Sequence, residues 1–153
     1  MTNNIIDRVN QSRIAEIAAH LARADASFVP TLSSRVDILV YAHKLQDRAV
    51  RFEAWLGDEL VGLVASYCNQ LDQDRAFVTS VSVLLEYQRQ GIAERLLRQC
   101  IKHARDLGFL QMELEVDRQS LLAIALYQRL GFNTLRTDGS TLIMGKAFER
   151  GAL

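Results

Sequence analysis

Phe77-Val78-Thr79-Ser80-Val81-Ser82-Val83, then Leu84-Leu85 and Glu86-Tyr87-Gln88-Arg89-Gln90-Gly91-Ile92-Ala93, begin the stretch to Ala104 around which the chain is organised. In the first seven residues Phe77, Thr79, Val81 and Val83 alternate with their neighbours. β-Branched and aromatic residues at period two predict a half-buried strand with those four on one face. Beyond the turn, Ile92, Leu96, Leu97, Cys100, Ile101, Ala104 and Leu107 recur at helical spacing and predict an amphipathic helix ending at Gly108. A strand feeding a helix through a glycine turn suits an anion. The first amides of a helix lack internal partners, and the helix dipole places partial positive charge there. Gly91 and Ala93 leave the approach open and Arg89 adds charge. Alone, a glycine before a helix is more often plain turn geometry.

The next segment changes that balance. Leu110-Gln111-Met112-Glu113-Leu114-Glu115-Val116 alternates strictly, so Leu110, Met112, Leu114 and Val116 point one way and Gln111, Glu113 and Glu115 the other. It is followed by Ser120-Leu121-Leu122-Ala123-Ile124-Ala125-Leu126-Tyr127-Gln128-Arg129-Leu130-Gly131-Phe132. The helix predicted from Leu121 to Leu130 is apolar almost all round, which predicts burial on several sides, with Ser120 as its cap. Gln88, Gly91 and Ala93 match the form Q/R-x-x-G-x-G/A. Ala123, Leu126, Tyr127, Gly131 and Phe132 match N-x-x-A-x-x-L-Y-x-x-x-G-F. In this order and at this separation the two motifs resemble the GCN5-related N-acetyltransferase (GNAT) family over residues 77–132. Ser120 stands where the family usually has Asn, and Leu85 where it often has Pro.

The resemblance implies an α/β fold. It is a mixed, mostly antiparallel sheet of six or seven strands with about four helices, splayed between the strands at Val81 and Leu114. It implies acetyl-CoA as cosubstrate. The pyrophosphate would lie on amides from Arg89 through Gln90, Gly91 and Ile92 to Ala93, with Gln88 beside it. Pantetheine would run along Val81, Ser82 and Val83, and Ser120, Ala123 and Tyr127 would complete the contacts. By the same resemblance Tyr127 is the acid that protonates the departing thiolate, the other reading being a core tyrosine. Glu115, twelve residues before it, is the base, with Glu113 or water as alternatives. The strand itself allows a plainer reading, that both carboxylates form a solvated face. The implied reaction is direct attack of a primary amine on the thioester. The acceptor expected first is a small amine or an amino sugar, which the long helical start favours, with a protein N-terminus as the alternative. The competing reading is an inactive acetyl-CoA-binding sensor or interaction module.

A length of 153 residues suits a single domain over 1–153 with a sizeable core. Lys plus Arg balance Asp plus Glu at 18 each, which argues against broad nucleic-acid or anionic-membrane binding. No apolar run is long enough to cross a membrane and no signal sequence is evident, so a cytoplasmic location is expected. A homodimer is compatible with all of this. Cys68 and Cys100 read as buried free thiols rather than a disulfide or nucleophile. His20 and His43 lack partners at metal-ligand spacing, so no metal is expected and both read as structural or solvated.

Toward the N-terminus, Ile5–Val9 reads as a short edge strand. Asn10 or Ser12 should cap a helix from Arg13 to about Ala26 that buries Ile14, Ile17, Ala18, Leu21 and Ala24 or Ala22. Ser33 or Ser34 should cap a second, from Arg35 to Leu45, burying Val36, Leu39, Val40 and His43. Residues 49–55 and 60–67 form a hairpin about Gly57-Asp58-Glu59. Asn69–Arg75 is a polar connection. Phe132–Arg136 and Thr141–Phe148 close the sheet around Thr137-Asp138-Gly139-Ser140, and Glu149–Leu153 should fray.

Overall fold

The structure is a computed structural model that describes residues 4–68 and 74–148. The expected fraying of Glu149–Leu153 and most of the connection from Asn69 fall outside the described residues. In chain order the elements are β1 (Ile5–Val9), α1 (Ile14–Ala24), α2 (Ile38–Arg48), β2 (Val50–Leu56), β3 (Glu59–Tyr67), β4 (Arg75–Val83), α3 (Ile92–Asp106), β5 (Gln111–Asp117), α4 (Leu121–Arg129), β6 (Asn133–Asp138) and β7 (Thr141–Ala147). The strands form one sheet in the order β1-β2-β3-β4-β5-β7-β6. Among the described residues only β4 and β5 pair in parallel, as expected where a helix supplies the crossover between them.

That central pairing is short. Arg75 to Val78 lie opposite Gln111 to Leu114, and the ladder stops there. The C-terminal ends of β4 and β5 therefore separate, as the resemblance implies. The cause is local. Val78 pairs with Ser66 and Ser80 with Ala65, so Thr79 is an extra residue in β4, a β-bulge. Directly opposed residues share a face, so the bulge reverses the alternation of β4. Val81 and Val83, opposite Val64 and Gly62, lie on one face with Val78. Phe77, Ser80 and Ser82, opposite Tyr67, Ala65 and Leu63, lie on the other. The expected single face of Phe77, Thr79, Val81 and Val83 is thus broken in two, because period-two counting fails across an inserted residue.

Each face carries its own core. α3 packs Leu96, Leu97, Cys100 and Ala104 with Val64, Val78, Met112, Leu114 and Met144. A Cβ at Gly62 would come within 2.7 Å of the Ile92 side chain, so the close approach of α3 to β3 requires glycine there. On the opposite face Ile17, Leu21, Ala42 and Leu45 from α1 and α2 meet Trp55, Leu60, Leu63 and Ala65.

The helix boundaries on that second face differ from the sequence expectation. Asn10 and Ser12 do not cap α1. The Asn10 side-chain oxygen accepts from the Arg51 amide at 2.7 Å, and the Ser12 hydroxyl donates to the Glu53 carboxylate. Arg13 occupies the cap position instead, and the Glu16 carboxylate accepts from its amide at 2.9 Å. α2 starts three residues later than expected because Asp37 caps it, accepting from the Val40 amide at 3.0 Å. The Ser33 hydroxyl and amide are held by Asp25. The inward side of α2 also differs from the expectation. Ala42 and Leu45 are buried, whereas Leu39 and Val40 are 56% and 66% exposed and His43 is exposed. Gly57-Asp58 alone joins β2 to β3, and Gly139-Ser140 joins β6 to β7.

Arg51 and Glu53 are both buried on β2. Glu53 accepts from the amides of Gln11 and Ser12 at 3.0 and 2.9 Å and from the Trp55 indole at 3.1 Å. Arg51 donates to Ser12 and to the carbonyls of Leu45, Gln46 and Ala49. The pair joins the start of α1 to the end of α2.

Candidate active site

The space opened by the splay is a cavity of about 310 Å³. At one end lies the turn into α3. Arg89 and Gly91 have positive φ, 67° and 77°, a conformation glycine takes freely and arginine seldom does. The Arg95 amide donates to Gly91 at 3.0 Å, so Ile92, Ala93 and Glu94 precede the first helical bond and their amides have no partner within α3. A Cβ at Gly91 would meet no protein atom within 4 Å, although Gly91 lines the cavity. The space left by its missing side chain is open to a ligand. Arg89 and Arg129 add cationic groups to the lining. Arg129 is shared with Glu94 at 3.1 Å, and its hydrogen bond, followed by that of Arg98, holds the Glu94 carboxyl below the usual range. Free amides, a left-handed glycine and two guanidiniums form a donor set that fits a pyrophosphate.

Gln88 has a more structural part than expected. Its side-chain amide donates to the Val83 carbonyl at 3.0 Å and ties the turn to the end of β4 while also lining the cavity. Beyond it the wall runs through Val83, Ser82 and Val81 to Tyr127. Their ladder toward β5 is absent beyond Val78, so the β4 edge there can pair with an extended ligand in the manner of an added strand.

Tyr127 is the one buried residue of α4, set edge-on to Phe132 with ring centroids 6.1 Å apart. Burial pushes its phenol up to about 12, so it is protonated at neutral pH. The rest of α4 is less enclosed than its composition suggests. Leu121 and Leu122 are 72% and 84% exposed. Ala123, Leu126 and Leu122 face the cavity instead of a filled core, which is why an apolar helix is not buried on several sides. Ser120 takes the cap position but makes no side-chain cap bond.

The cavity gathers Val81, Ser82, Val83, Gln88, Arg89, Gly91, Ile92, Ala93, Ala123 and Tyr127 from the expected set; Gln90, Ser120 and Glu115 are not among its lining residues. The carboxylates of β5 lie on the other face. Met112, Leu114 and Val116 enter the core as the alternation predicts. Glu113 and Glu115 border a second cavity, of about 410 Å³, with Phe77, Arg136, Asp138 and Ile143. Glu113 is buried and ion-paired, 3.3 Å from Arg75 and 3.5 Å from Arg136. Glu115 is exposed.

Three contributors carry no motif signal. Ser27 and Phe28, just after α1, close the cavity from the α1 side, and Arg129 closes it from α4. Behind Ser82 stands His20 of α1, fully enclosed, with Nδ1 2.8 Å from the Leu60 carbonyl and Nε2 2.8 Å from the Ser82 hydroxyl. Behind the bulge stands Tyr41 of α2, whose hydroxyl donates to the Thr79 carbonyl at 3.0 Å and lies 2.7 Å from the Thr79 hydroxyl. Cys68 and Cys100 are buried free thiols that do not line the cavity, and burial raises the pKa of both. Among the described residues, no helix is long and apolar enough to cross a membrane, and no group of three or more His, Cys, Asp or Glu could hold a metal ion.

Residues 16–132 match the acetyltransferase (GNAT) family. The [ribosomal protein bS18]-alanine N-acetyltransferase of Escherichia coli K12 is 37% identical over 73 residues, which cover 47% of this chain and 49% of that protein. The chain therefore matches about half the length of these curated relatives. The crystal structure of the ribosomal-protein-S18-alanine N-acetyltransferase from Escherichia coli superposes with a TM-score of 0.76 over 96% of this chain and 97% of that one, at 20% identity. The PaiA N-acetyltransferase of Thermoplasma acidophilum, solved in complex with coenzyme A, gives 0.74 over 94% and 99%, also at 20% identity. At such identity these two likenesses speak to the fold. With a family match over most of its length and the sheet opened beside a glycine turn, the chain belongs to the acetyltransferase (GNAT) family.

Proposed function

We propose that this chain is an acetyl-CoA-dependent N-acetyltransferase whose acceptor is a primary amine, with a protein N-terminus favoured. One observation carries the reading. A single cavity joins the free amides at the start of α3 to a buried, protonated tyrosine through an unpaired stretch of β4. That sequence of groups suits the chemistry of a pyrophosphate, an extended amide-bearing arm and a thioester in series. When bound, acetyl-CoA supplies the activated acetyl group. Ile92, Ala93, Glu94 and Arg89 hold its phosphates. The exposed edge of β4 orients the arm and donates an amide to the thioester oxygen as negative charge develops there.

The neutral amine attacks the carbonyl carbon, forming the C–N bond, and the C–S bond breaks. Tyr127 gives its phenolic proton to the sulfur. The phenol's high pKa is no obstacle, because the thiolate formed beside it is also desolvated and its affinity for a proton rises in parallel. The amine's proton leaves toward Glu115 through water, because Glu113 is already ion-paired with Arg75 and Arg136. The preference for a protein N-terminus rests on the alanine N-acetyltransferases among the relatives. The family resemblance supports it too, because members that act on protein N-termini can carry a glutamate twelve residues before the tyrosine, as Glu115 stands before Tyr127 here.

The test begins with calorimetric titration of acetyl-CoA, CoA and ATP. It continues with thiol release from acetyl-CoA in the presence of an alanine-initiated peptide, glucosamine or 2-phenylethylamine. Micromolar binding of acetyl-CoA with peptide-dependent release is the expected result. Release with only the small amines moves the acceptor class. Binding without release from any amine leaves a coenzyme-binding module.

A further inference from the structure

A buried histidine with both ring nitrogens engaged is ordinarily a packing element. His20 differs in what it holds. The Leu60 carbonyl only accepts, so the nitrogen facing it, Nδ1, must carry the ring proton. Burial removes the stabilisation of a charged ring, and the nearby Arg23 opposes it further, so the imidazole is neutral at physiological pH. Nε2 is then bare and accepts the Ser82 proton across 2.8 Å. A serine hydroxyl has one proton and two lone pairs. With its proton committed to His20, Ser82 presents only lone pairs to anything else in the cavity it lines.

Ser82 also points in a particular direction. Its register opposite Leu63 puts the side chain on the face covered by α1, away from α3. Val81 and Val83 on either side of it face the other way. Ser27 and Phe28 approach the same cavity from the segment that follows α1. Ser82 therefore stands where the splay opens toward the α1 side, and its neighbours' backbone is left for an arm lying in the plane of the sheet.

We propose that His20 is a positioning residue that fixes the Ser82 hydroxyl as a hydrogen-bond acceptor for an N–H of the attacking amine. The proposal rests on the N-acetyltransferase reading. An amine approaching a thioester must aim its lone pair at the carbonyl carbon and its N–H bonds elsewhere. A hydroxyl free to rotate could instead donate to that lone pair and block the attack. One that can only accept holds the amine by N–H and leaves the lone pair free. The same polarity disfavours the thioester oxygen, which has no proton to give. His20 does not take the amine's proton in this arrangement. Its work is done by keeping one proton in place.

The test uses the full chain with an alanine-initiated peptide and 2-phenylethylamine as acceptors. Ser82→Ala and His20→Leu should each raise the amine KM about tenfold, the size of one hydrogen bond. The acetyl-CoA Kd from calorimetry should stay within about twofold. The double variant should be no worse than either single one, because His20 acts through Ser82. His20→Gln, whose side-chain oxygen can still accept from Ser82, should restore the KM and guards against a folding defect in His20→Leu. A weakened acetyl-CoA Kd in Ser82→Ala would assign the hydroxyl to pantetheine and overturn the proposal. Additive effects in the double variant, or an unchanged amine KM in both single variants with normal turnover, would overturn it as well. Turnover of none of the three amines, glucosamine included, by the unaltered chain would remove the transferase reading, and the inference with it.

Discussion

On the α3 face of the sheet, Val64, Val78, Met112 and Leu114 meet Leu96, Leu97 and Cys100, apolar against apolar. On the α1 and α2 face, Leu63 and Ala65 share the surface with Arg51, Glu53 and Ser82, each held by a side chain or carbonyl from outside its own strand. The first face is a matter of area and shape, and its residues are interchangeable within limits of volume. The second is a set of pairs. There each buried polar group is stable because one particular partner is present, and removing the partner costs the desolvation of what remains. The difference also divides the work of the site. The first face supplies the turn and the free amides at the start of α3. The second holds the bulge and the hydroxyl that shape the opposite end.

Breaking a pair on the second face should do more damage than trimming the first. The largest effect is expected for Glu53→Ala, which leaves Arg51 buried without its counter-charge and the Ser12 amide and Trp55 indole without acceptors. Chemical denaturation should show a loss of about 3–5 kcal/mol. A loss below about 1 kcal/mol would mean the face tolerates unpaired charge and the comparison is wrong.

pH sharpens the same point. His20 is pushed from 6.5 down to about 4 by burial, so between those values the unfolded chain binds a proton that the folded chain refuses. Its contribution is complete above pH 6.5 and is lost as the pH falls toward 4, to a total of roughly 3 kcal/mol. The stability difference between the unaltered chain and His20→Leu should shrink over that window. A constant difference would mean the ring charges without penalty.

Two substitutions concern the chemistry that the faces enclose. Tyr127→Phe should lower kcat by at least about a hundredfold while the acetyl-CoA Kd stays unchanged. Equal turnover would return Tyr127 to a packing role beside Phe132. Glu115→Gln should lower kcat about tenfold if the exposed carboxylate collects the proton, and unaltered kinetics would pass that role to Glu113 or solvent. The smallest effect is expected for Tyr41→Phe, about 1 kcal/mol of stability from the bond to Thr79. If the bulge depends on that bond, the variant should also bind acetyl-CoA more weakly. An unchanged Kd would show that the bulge holds its shape without it.

The legibility of the chain follows the same division. Strand β5 and helix α3 were readable because alternation and helical spacing each sort apolar from polar within a few residues. The glycine turn was readable because the demand for positive φ and an open approach falls on one position, Gly91. Period counting went wrong at Thr79, where one inserted residue exchanges the two faces. It went wrong in α2, where Asp37 rather than Ser33 or Ser34 sets the start and packing buries Ala42 and Leu45 while Leu39 and Val40 face outward. It also went wrong in α4, where an apolar surface faces a cavity. The Gly91 turn and Tyr127 were visible as motif positions. Ser27, Phe28, Arg129 and His20 were not, because each reaches the site by proximity in space.

The sequence by itself determined the order of strands and helices, the glycine turn before α3 and the family, since these rest on patterns among near neighbours in the chain. The tertiary structure alone decided where β4 leaves β5 and which nitrogen of His20 bears the proton. It also decided which carboxylate of β5 is already neutralised. Those outcomes depend on residues tens of positions apart, Tyr41 with Thr79, His20 with Leu60 and Ser82, Glu113 with Arg75 and Arg136. No local pattern encodes such pairings, because each side chain is ordinary in its own segment and acquires its role from the partner that packing brings to it.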